Sequence, residues 1–599
     1  MSGRARRPVR ALVLALVLLV GVDLGAAACV RLPHDGPVHT IGVQEDPGDE
    51  SLYDYTPPGP LPGLERVPLV ENFLTSMTAT PLSTYVARQF LTSASSRSWV
   101  PERGTVVYGS QQLVDGPHGT VALRLGDVVE LDSRGTWQGD PTGGRGVTYR
   151  LRLVKEGGEW RVANPPDRLL IPRPHFDTRY EQYFLYFPDP SGQVMVPEPV
   201  YLPRGRQTPT LLVAGLLKGP EPGLRSTERT FFPRGSALDG ISVPVSGDGT
   251  AEVPLGRRIL SAGSDQLHVV LAQLAWTLAQ VPGVRRMRIT VDGTPVDVPG
   301  SRNDVGVDGF TEFDPAVAWA SSALFGLRDG RMVTLAGGRE DRVTGPFGAL
   351  PLGLRSVAVD LLGQQVAGVS ADGRQVLEAD RDGVPGRKPT GADVRTVYAG
   401  GTDVLRPAYD LYGQLWLLDR TPTGARLSVV RAGTSRTVEA PGLSGADVQR
   451  FQLSRDGTRL VSLVQGSGGQ RVLVSRVHRD EKGRVSGLGA ARALDLGPAG
   501  GRIVDLAWYK PASVAVLLSP SAGTSQVQLV KVDGSSSSAD LTTDPSLFHG
   551  RAVRLVTAPA GGTALYVEAA DGRLYSLSGS GQWRRSAIAA GLRAPTFVG

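Results

Sequence analysis

From Phe310 to the carboxyl end, short apolar runs alternate with Gly- and Asp-bearing turns, and helical periodicity vanishes. The segments 316–335, 356–377, 407–430, 450–474, 505–530 and 554–577 each join two apolar strands through such a turn. Leu453-Ser454-Arg455-Asp456-Gly457-Thr458-Arg459-Leu460 shows the unit. Segment starts fall about 40 to 55 residues apart, the period of propeller blades made of four short strands. Six blades fit best, with five and seven as the neighbouring counts. A radial fold also leaves few open sheet edges, which suits a region with almost no amphipathic helix to cover them.

The repeats fill residues 310–599, so the rest of this 599-residue chain must build its own cores. Between 65 and 200, Val70, Phe73, Leu74 and Met77 fall on one helical face after Pro68, and a second short helix is expected from Thr84 to Leu91. Extended stretches follow at 105–108, 120–125, 128–131, 147–154 and 160–163, an order that fits helices on a curved antiparallel sheet. Trp99, Trp137 and Trp160 are expected to pack in that core or at its sheet edges. A second α+β unit is expected over 207–300. It has an apolar segment at 210–217 and extended stretches at 240–245 and 251–253. A helix capped by Ser264 and carrying Leu267, Leu271, Leu274 and Leu278 follows, then an alternating strand through Met287, Ile289 and Val291, closed by an Asp292-Gly293 turn. The fold class predicted is therefore multidomain, two α+β units followed by an all-β propeller.

The amino terminus has a different plan. Arg4, Arg6, Arg7 and Arg10 precede an apolar stretch of about a dozen residues, and small residues lead up to Cys29. That is the three-part organisation of a secretory signal, and the stretch is shorter than the roughly 20 residues that span a bilayer. Cys29 is the only cysteine, so it has no disulfide partner within the chain. Ala26-Ala27-Ala28-Cys29 resembles the lipobox of bacterial lipoproteins, with Ala rather than Leu three residues before the cysteine and Asp23 interrupting the apolar run. The resemblance implies cleavage between Ala28 and Cys29, an S-diacylglycerol and an N-acyl chain such as palmitate on Cys29, and a lipid anchor on the extracytoplasmic face of the cell membrane. An ordinary signal cut nearby, or an uncleaved anchor, is the alternative. Residues 29–64, rich in Pro, Gly and acids, are expected to act as a tether with a reach of about 30 Å.

Without residues 1–28 the formal charge of +6 falls to +3, spread without Lys/Arg clusters, so nucleic acid is not an expected partner. No G-x-S-x-G, H-E-x-x-H, P-loop or complete G-x-G-x-x-G motif occurs. His34, His39, His118, His175, His268, His478 and His549 are scattered, none at metal-ligand spacing to another. Asp372-Gly373, Asp456-Gly457 and Asp571-Gly572 are expected to be turns, with Asp accepting backbone hydrogen bonds and Gly taking positive φ. No catalytic residue, metal or cofactor is therefore expected.

Leu216-Leu217-Lys218-Gly219-Pro220, Phe232-Pro233-Arg234-Gly235, the helix ending at Val281-Pro282-Gly283-Val284, and Val291-Asp292-Gly293 resemble a GerMN domain. Leu32-Pro33 with Gly36-Pro37-Val38, and Ala87-Arg88-Gln89-Phe90-Leu91-Thr92 followed by Trp99-Val100-Pro101, extend the match. With the domain order, the chain resembles the LpqB family of actinobacterial lipoproteins. The resemblance implies an accessory, non-enzymatic role beside the MtrA/MtrB two-component system, with contact to the extracytoplasmic domain of the MtrB-like sensor kinase and influence on envelope homeostasis and division. The competing expectation is a surface glycan-binding protein or glycosidase, for which paired carboxylates in the propeller mouth would be the sign.

Overall fold

The computed structural model describes residues 54–297, 304–317, 319–337, 339–497, 500–535, 546–558, 565–578, 581–586 and 591–599. The signal segment, Cys29, His34, His39 and residues 29–53 of the expected tether lie outside the described residues. Two α+β units precede an all-β region, as the sequence predicts.

In the first unit the helix Arg66–Thr75 buries Leu69, Val70, Phe73 and Leu74. It starts two residues before Pro68, because the N–H that proline lacks would have no partner in a first helical turn. The second helix is shorter than expected, Tyr85–Gln89, and a third, Ser93–Ser98, is capped by Thr92, whose hydroxyl accepts from Ser95 N. The strands form two four-stranded sheets rather than one. Gly104–Tyr108 pairs in parallel with Leu169–Pro172, a strand buried along Leu169, Leu170 and Ile171. Such an uninterrupted apolar run carries no alternation to mark it. Trp99 donates its indole N–H to Pro166 O at 2.6 Å, Trp137 packs on Phe176 and Tyr201, and Trp160 lies at the edge between Arg66 and Lys155.

The sequence assigns residues 180–200 to the first unit, but the hairpin Tyr180–Pro188 and Met195–Pro203 packs mainly into the second core. Tyr183, Leu185, Phe187, Met195, Val200 and Leu202 meet the helices Thr208–Leu217 and Ser264–Leu278 there. A lone hairpin is marginal in water, and these helices cover it. Gln280 fastens the contact by accepting from Phe184 N and donating to Phe184 O. Gly263, not Ser264, is the N-cap of the longer helix, because the extended backbone ends one residue earlier than expected. Strand Arg286–Val291 pairs in parallel with Thr250–Pro254, and Asp292 (φ 50°) and Gly293 (φ 75°) form the tight turn after it. Residues 240–245 form only an isolated bridge, Val245 with Ala251, rather than a strand.

Among the described residues from 324 onward, the chain forms six successive antiparallel sheets, five of four strands and one of five. The first sheet is completed by the C-terminal strand Arg593–Thr596, which pairs with Leu324–Arg328. Six apolar clusters lie between successive sheets. The last joins Val556 and Leu574 of the sixth sheet to Leu324 and Val333 of the first, closing the ring.

A buried ionic clamp docks the second unit on this ring. Glu198, in the middle of Met195–Pro203, accepts from Arg459 at 2.6 Å and from both terminal nitrogens of Arg476 at 2.6 Å each. Arg459 also donates to Pro197 O at 2.7 Å. Burial works to raise the pKa of Glu198, but Arg476 and Arg459 outweigh it and hold the carboxylate below its ordinary range. Tyr412, in a turn of the third sheet, donates to Asp189, and Asp533, just after the third strand of the fifth sheet, accepts from Gln182 and Tyr201 at 3.2 Å each. On the far side, Arg134 of the first unit donates to Gly219 O at 3.0 Å, and Tyr201 N donates to Gly135 O at 2.8 Å. Beside the clamp, Glu228 is fully buried with no hydrogen-bond partner on either oxygen, and burial together with Glu198 raises its pKa well above the ordinary carboxylate range.

Two outcomes follow from the clamp. Glu198→Ala leaves the buried Arg459 with only Asp456, at 3.5 Å, and is expected to cost about 3–5 kcal/mol in chemical denaturation, whereas the all-apolar triple change Glu198→Met, Arg459→Met, Arg476→Met costs far less. Burial and the neighbouring Glu198 favour the protonated form of Glu228 in the folded protein, whereas in the unfolded chain it ionises at the ordinary carboxylate pKa, so its contribution to stability is full below that ordinary value. It is lost as pH rises through the raised folded value. Glu228→Gln is therefore expected to raise the melting temperature at pH 7–8 and to leave it unchanged at pH 3.5; an equal shift at both values would contradict this assignment.

Candidate functional site

The first strands of successive sheets in the ring face one another, so residues at one end of each strand converge on the axis. Arg355 comes from Leu354–Val359, Arg450 from Asp447–Leu453, Asp505 from Arg502–Lys510 and Arg554 from Ala552–Thr557. Arg406 stands just before the strand Ala408–Tyr409, and Arg420 with Asp403 completes the charged lining. Together they surround a cavity of about 230 Å³ at the mouth of the ring. Behind it the axis narrows to about 40 Å³, lined among others by Trp508, Arg455 and residues 596–599.

Five arginines thus meet two aspartates, and the aspartates are already engaged. Asp403 accepts from Arg355 at 2.5 Å and from Arg420 Nε at 2.9 Å. Burial favours its protonation, but the hydrogen bonds from Arg355 and Arg420 prevail and hold its pKa below the ordinary value. Asp505 lies 3.3 Å from Arg450 and accepts Leu555 N at 2.9 Å. Among the described residues the acid paired with Arg554 is Glu568, at 3.4 Å, and burial pushes the pKa of that acid upward. Arg406 donates to Thr596 Oγ1 at 3.0 Å and has no carboxylate partner among the described residues. Burial and the neighbouring Arg554 lower its pKa to about 10, so it stays cationic at neutral pH. The mouth is a half-exposed cluster of positive charge with directed N–H donors, an arrangement suited to holding an anion.

The residues singled out in the sequence lie elsewhere. Asp372 and Asp571 accept the backbone N–H two residues on, and the following glycines have φ of 76° and 75°. Asp456 accepts from Ser454, Thr458 N and Thr458 Oγ1, with Gly457 at φ 68°, and also stands 3.5 Å from Arg459 of the clamp. His268 is an exposed boundary residue, 3.0 Å from Glu312 and packed on Phe310 and Phe313. The structure brings none of the described histidines together, and among the described residues no group of three or more His, Cys, Asp or Glu is placed to hold a metal. Among the same residues no helix is long and apolar enough to cross a membrane. The sequence reading missed the mouth arginines. Their signal was a repeated phase: Arg355 and Arg406 directly precede the repeat segments at 356 and 407, and Arg450 and Arg554 begin theirs.

Comparison with known proteins agrees with the architecture. Residues 59–177 match the family described as "Lipoprotein LpqB, N-terminal domain", and residues 184–297 match "Sporulation and spore germination". Residues 330–597 match "Lipoprotein LpqB beta-propeller domain". The chain is 29% identical to Lipoprotein LpqB of Thermobifida fusca, covering 94% of this chain and 95% of that protein. It is 28% identical to the LpqB of Mycolicibacterium smegmatis over 87% of this chain and 89% of the relative, and 26% identical to that of Streptomyces coelicolor over 90% and 91%. With domain models of this family on both sides of the spore-germination match and relatives aligned over nearly the whole length, the chain belongs to the LpqB family of lipoproteins.

Proposed function

We propose that this membrane-anchored lipoprotein works by binding rather than catalysis, as the accessory protein of an MtrA/MtrB-type two-component system. It would contact the extracytoplasmic domain of the MtrB-like sensor kinase and shift its conformational equilibrium. The observation that carries the binding reading is the state of the mouth. A glycosidase needs one carboxyl able to hold a proton for the leaving group. Asp403 is held ionised by Arg355 and Arg420, Asp505 is engaged by Arg450 and Leu555 N, and Glu568, whose pKa burial raises, stands behind Arg554 and does not line the cavity, so the mouth presents donors rather than an acid and base pair. The choice of partner rests on membership of the family, and lipid on Cys29 would hold the folded body at high local concentration beside the kinase.

Two experiments test this reading. Binding between the detergent-solubilised lipoprotein and the sensor domain of the host's MtrB-like kinase is expected in calorimetry; silence there, with silent first-unit and ring deletions, defeats the partnership. Replacing Cys29 by Ser removes the thiol that would carry diacylglycerol, and two or more acyl chains anchor far longer than one. The C29S chain is expected to be released from the membrane fraction by high salt while wild type is retained. Equal retention would show that lipid on this residue is not the anchor.

A further inference from the structure

The arginines at the axial mouth outnumber the aspartates that engage them, and nothing in the kinase reading calls for them. We propose that the mouth is a binding site for a phosphate group, free or carried as an ester, held by Arg355, Arg406, Arg420, Arg450 and Arg554.

Four features support this. The first is charge: five guanidinium groups face two aspartates, and even with Glu568 behind Arg554 counted the arginines remain in excess. Arg406 is half-buried beside Arg554 and Arg450, with Asp505 nearby but no carboxylate hydrogen-bonded to it among the described residues, an arrangement that a bound anion would relieve. The second is space. A water needs about 10–15 Å³ of such volume, so a cavity of about 230 Å³ accepts a polyatomic anion together with its waters.

The third feature is direction. The arginines come from the second, third, fourth and sixth sheets of a closed ring and therefore approach the axis from several sides. A planar carboxylate is satisfied by one or two guanidinium forks in its own plane, whereas a tetrahedral phosphate offers oxygens in all directions and suits donors spread around an axis. The fourth is position. Arg355, Arg450 and Arg554 sit on hydrogen-bonded inner strands, and two are held further by backbone carbonyls: Arg355 donates to Val404 O, and Arg450 to Gln449 O. Donors so placed need little reorganisation on binding.

The test uses the full chain in non-ionic detergent and titration calorimetry at low salt. Probes are inorganic pyrophosphate for a free source, glycerophosphoglycerol for an ester-borne one, and citrate as a carboxylate control. Pyrophosphate is expected to bind, to weaken in 0.5 M NaCl, and to weaken at least tenfold in Arg420→Gln and in Arg554→Gln. Both variants are mild for the fold, since Asp403 retains Arg355 and Glu568 can take up a proton; an unchanged melting temperature confirms this, and either variant suffices if the other fails to fold. Binding of glycerophosphoglycerol alone, lost in the same variants, would also support the site and would place its phosphate on a lipid headgroup or polymer. The proposal is overturned if neither phosphate compound binds, if citrate binds as tightly, or if the variants bind as wild type does.

Discussion

Glu198 lies where the hairpin Met195–Pro203 meets the fourth sheet of the ring, and the arrangement of the molecule depends on it. A carboxylate and two guanidinium groups leave water together at this point, at a cost of several kcal/mol for each ion. Only aligned partners offset that cost, and three hydrogen bonds of 2.6 Å provide the alignment. Any other docking angle would take Glu198 from Arg459, at 1% exposure, and leave it only Asp456 at 3.5 Å. The clamp therefore contributes orientation more than net stability. Tyr412 with Asp189, and Asp533 with Gln182 and Tyr201, extend it to the third and fifth sheets.

The same hairpin is shared by two neighbours. Its apolar side chains fill the second core, while Tyr180 and Tyr201 pack with Phe176 and Trp137 of the first. Contact between first unit and ring thus passes through these residues, with Tyr201 touching both Trp137 and Asp533. Lipid at Cys29 would fix where such a body sits, and the clamp fixes which surfaces it presents. The ring contributes the opposite electrostatic arrangement. At the clamp, acids and bases are matched and sealed; at the mouth, arginines outnumber acids around an open cavity, where low-dielectric walls focus their field.

Much of the local structure was legible in the sequence. The Val70, Phe73, Leu74, Met77 spacing gave a buried helical face, and the Met287, Ile289, Val291 alternation gave a strand ending at Asp292-Gly293. The strand Ser110–Asp115 escaped notice because it is an exposed edge with polar residues on both faces, and Leu169–Pro172 escaped because an uninterrupted apolar run has no period. Glu198 could have been suspected from the sequence alone, since Val196-Pro197-Glu198-Pro199-Val200 sets one acid in an apolar strand, but its partners lie more than 260 residues away.

The sequence by itself determined the lipobox-like cysteine, the succession of two α+β units and a repeated β region, and the turns that punctuate it. These follow from short-range rules: side-chain periodicity, the φ tolerance of glycine, and the order of charge and apolar residues near the amino terminus. Only the tertiary structure decided that residues 180–203 cover the second core, that Glu198 joins Arg459 and Arg476, and that arginines as far apart in sequence as Arg355 and Arg554 share one cavity. Those outcomes depend on closing a ring through Arg593–Thr596, a long-range event that makes equal phases of a repeat neighbours in space and leaves no trace in any single segment.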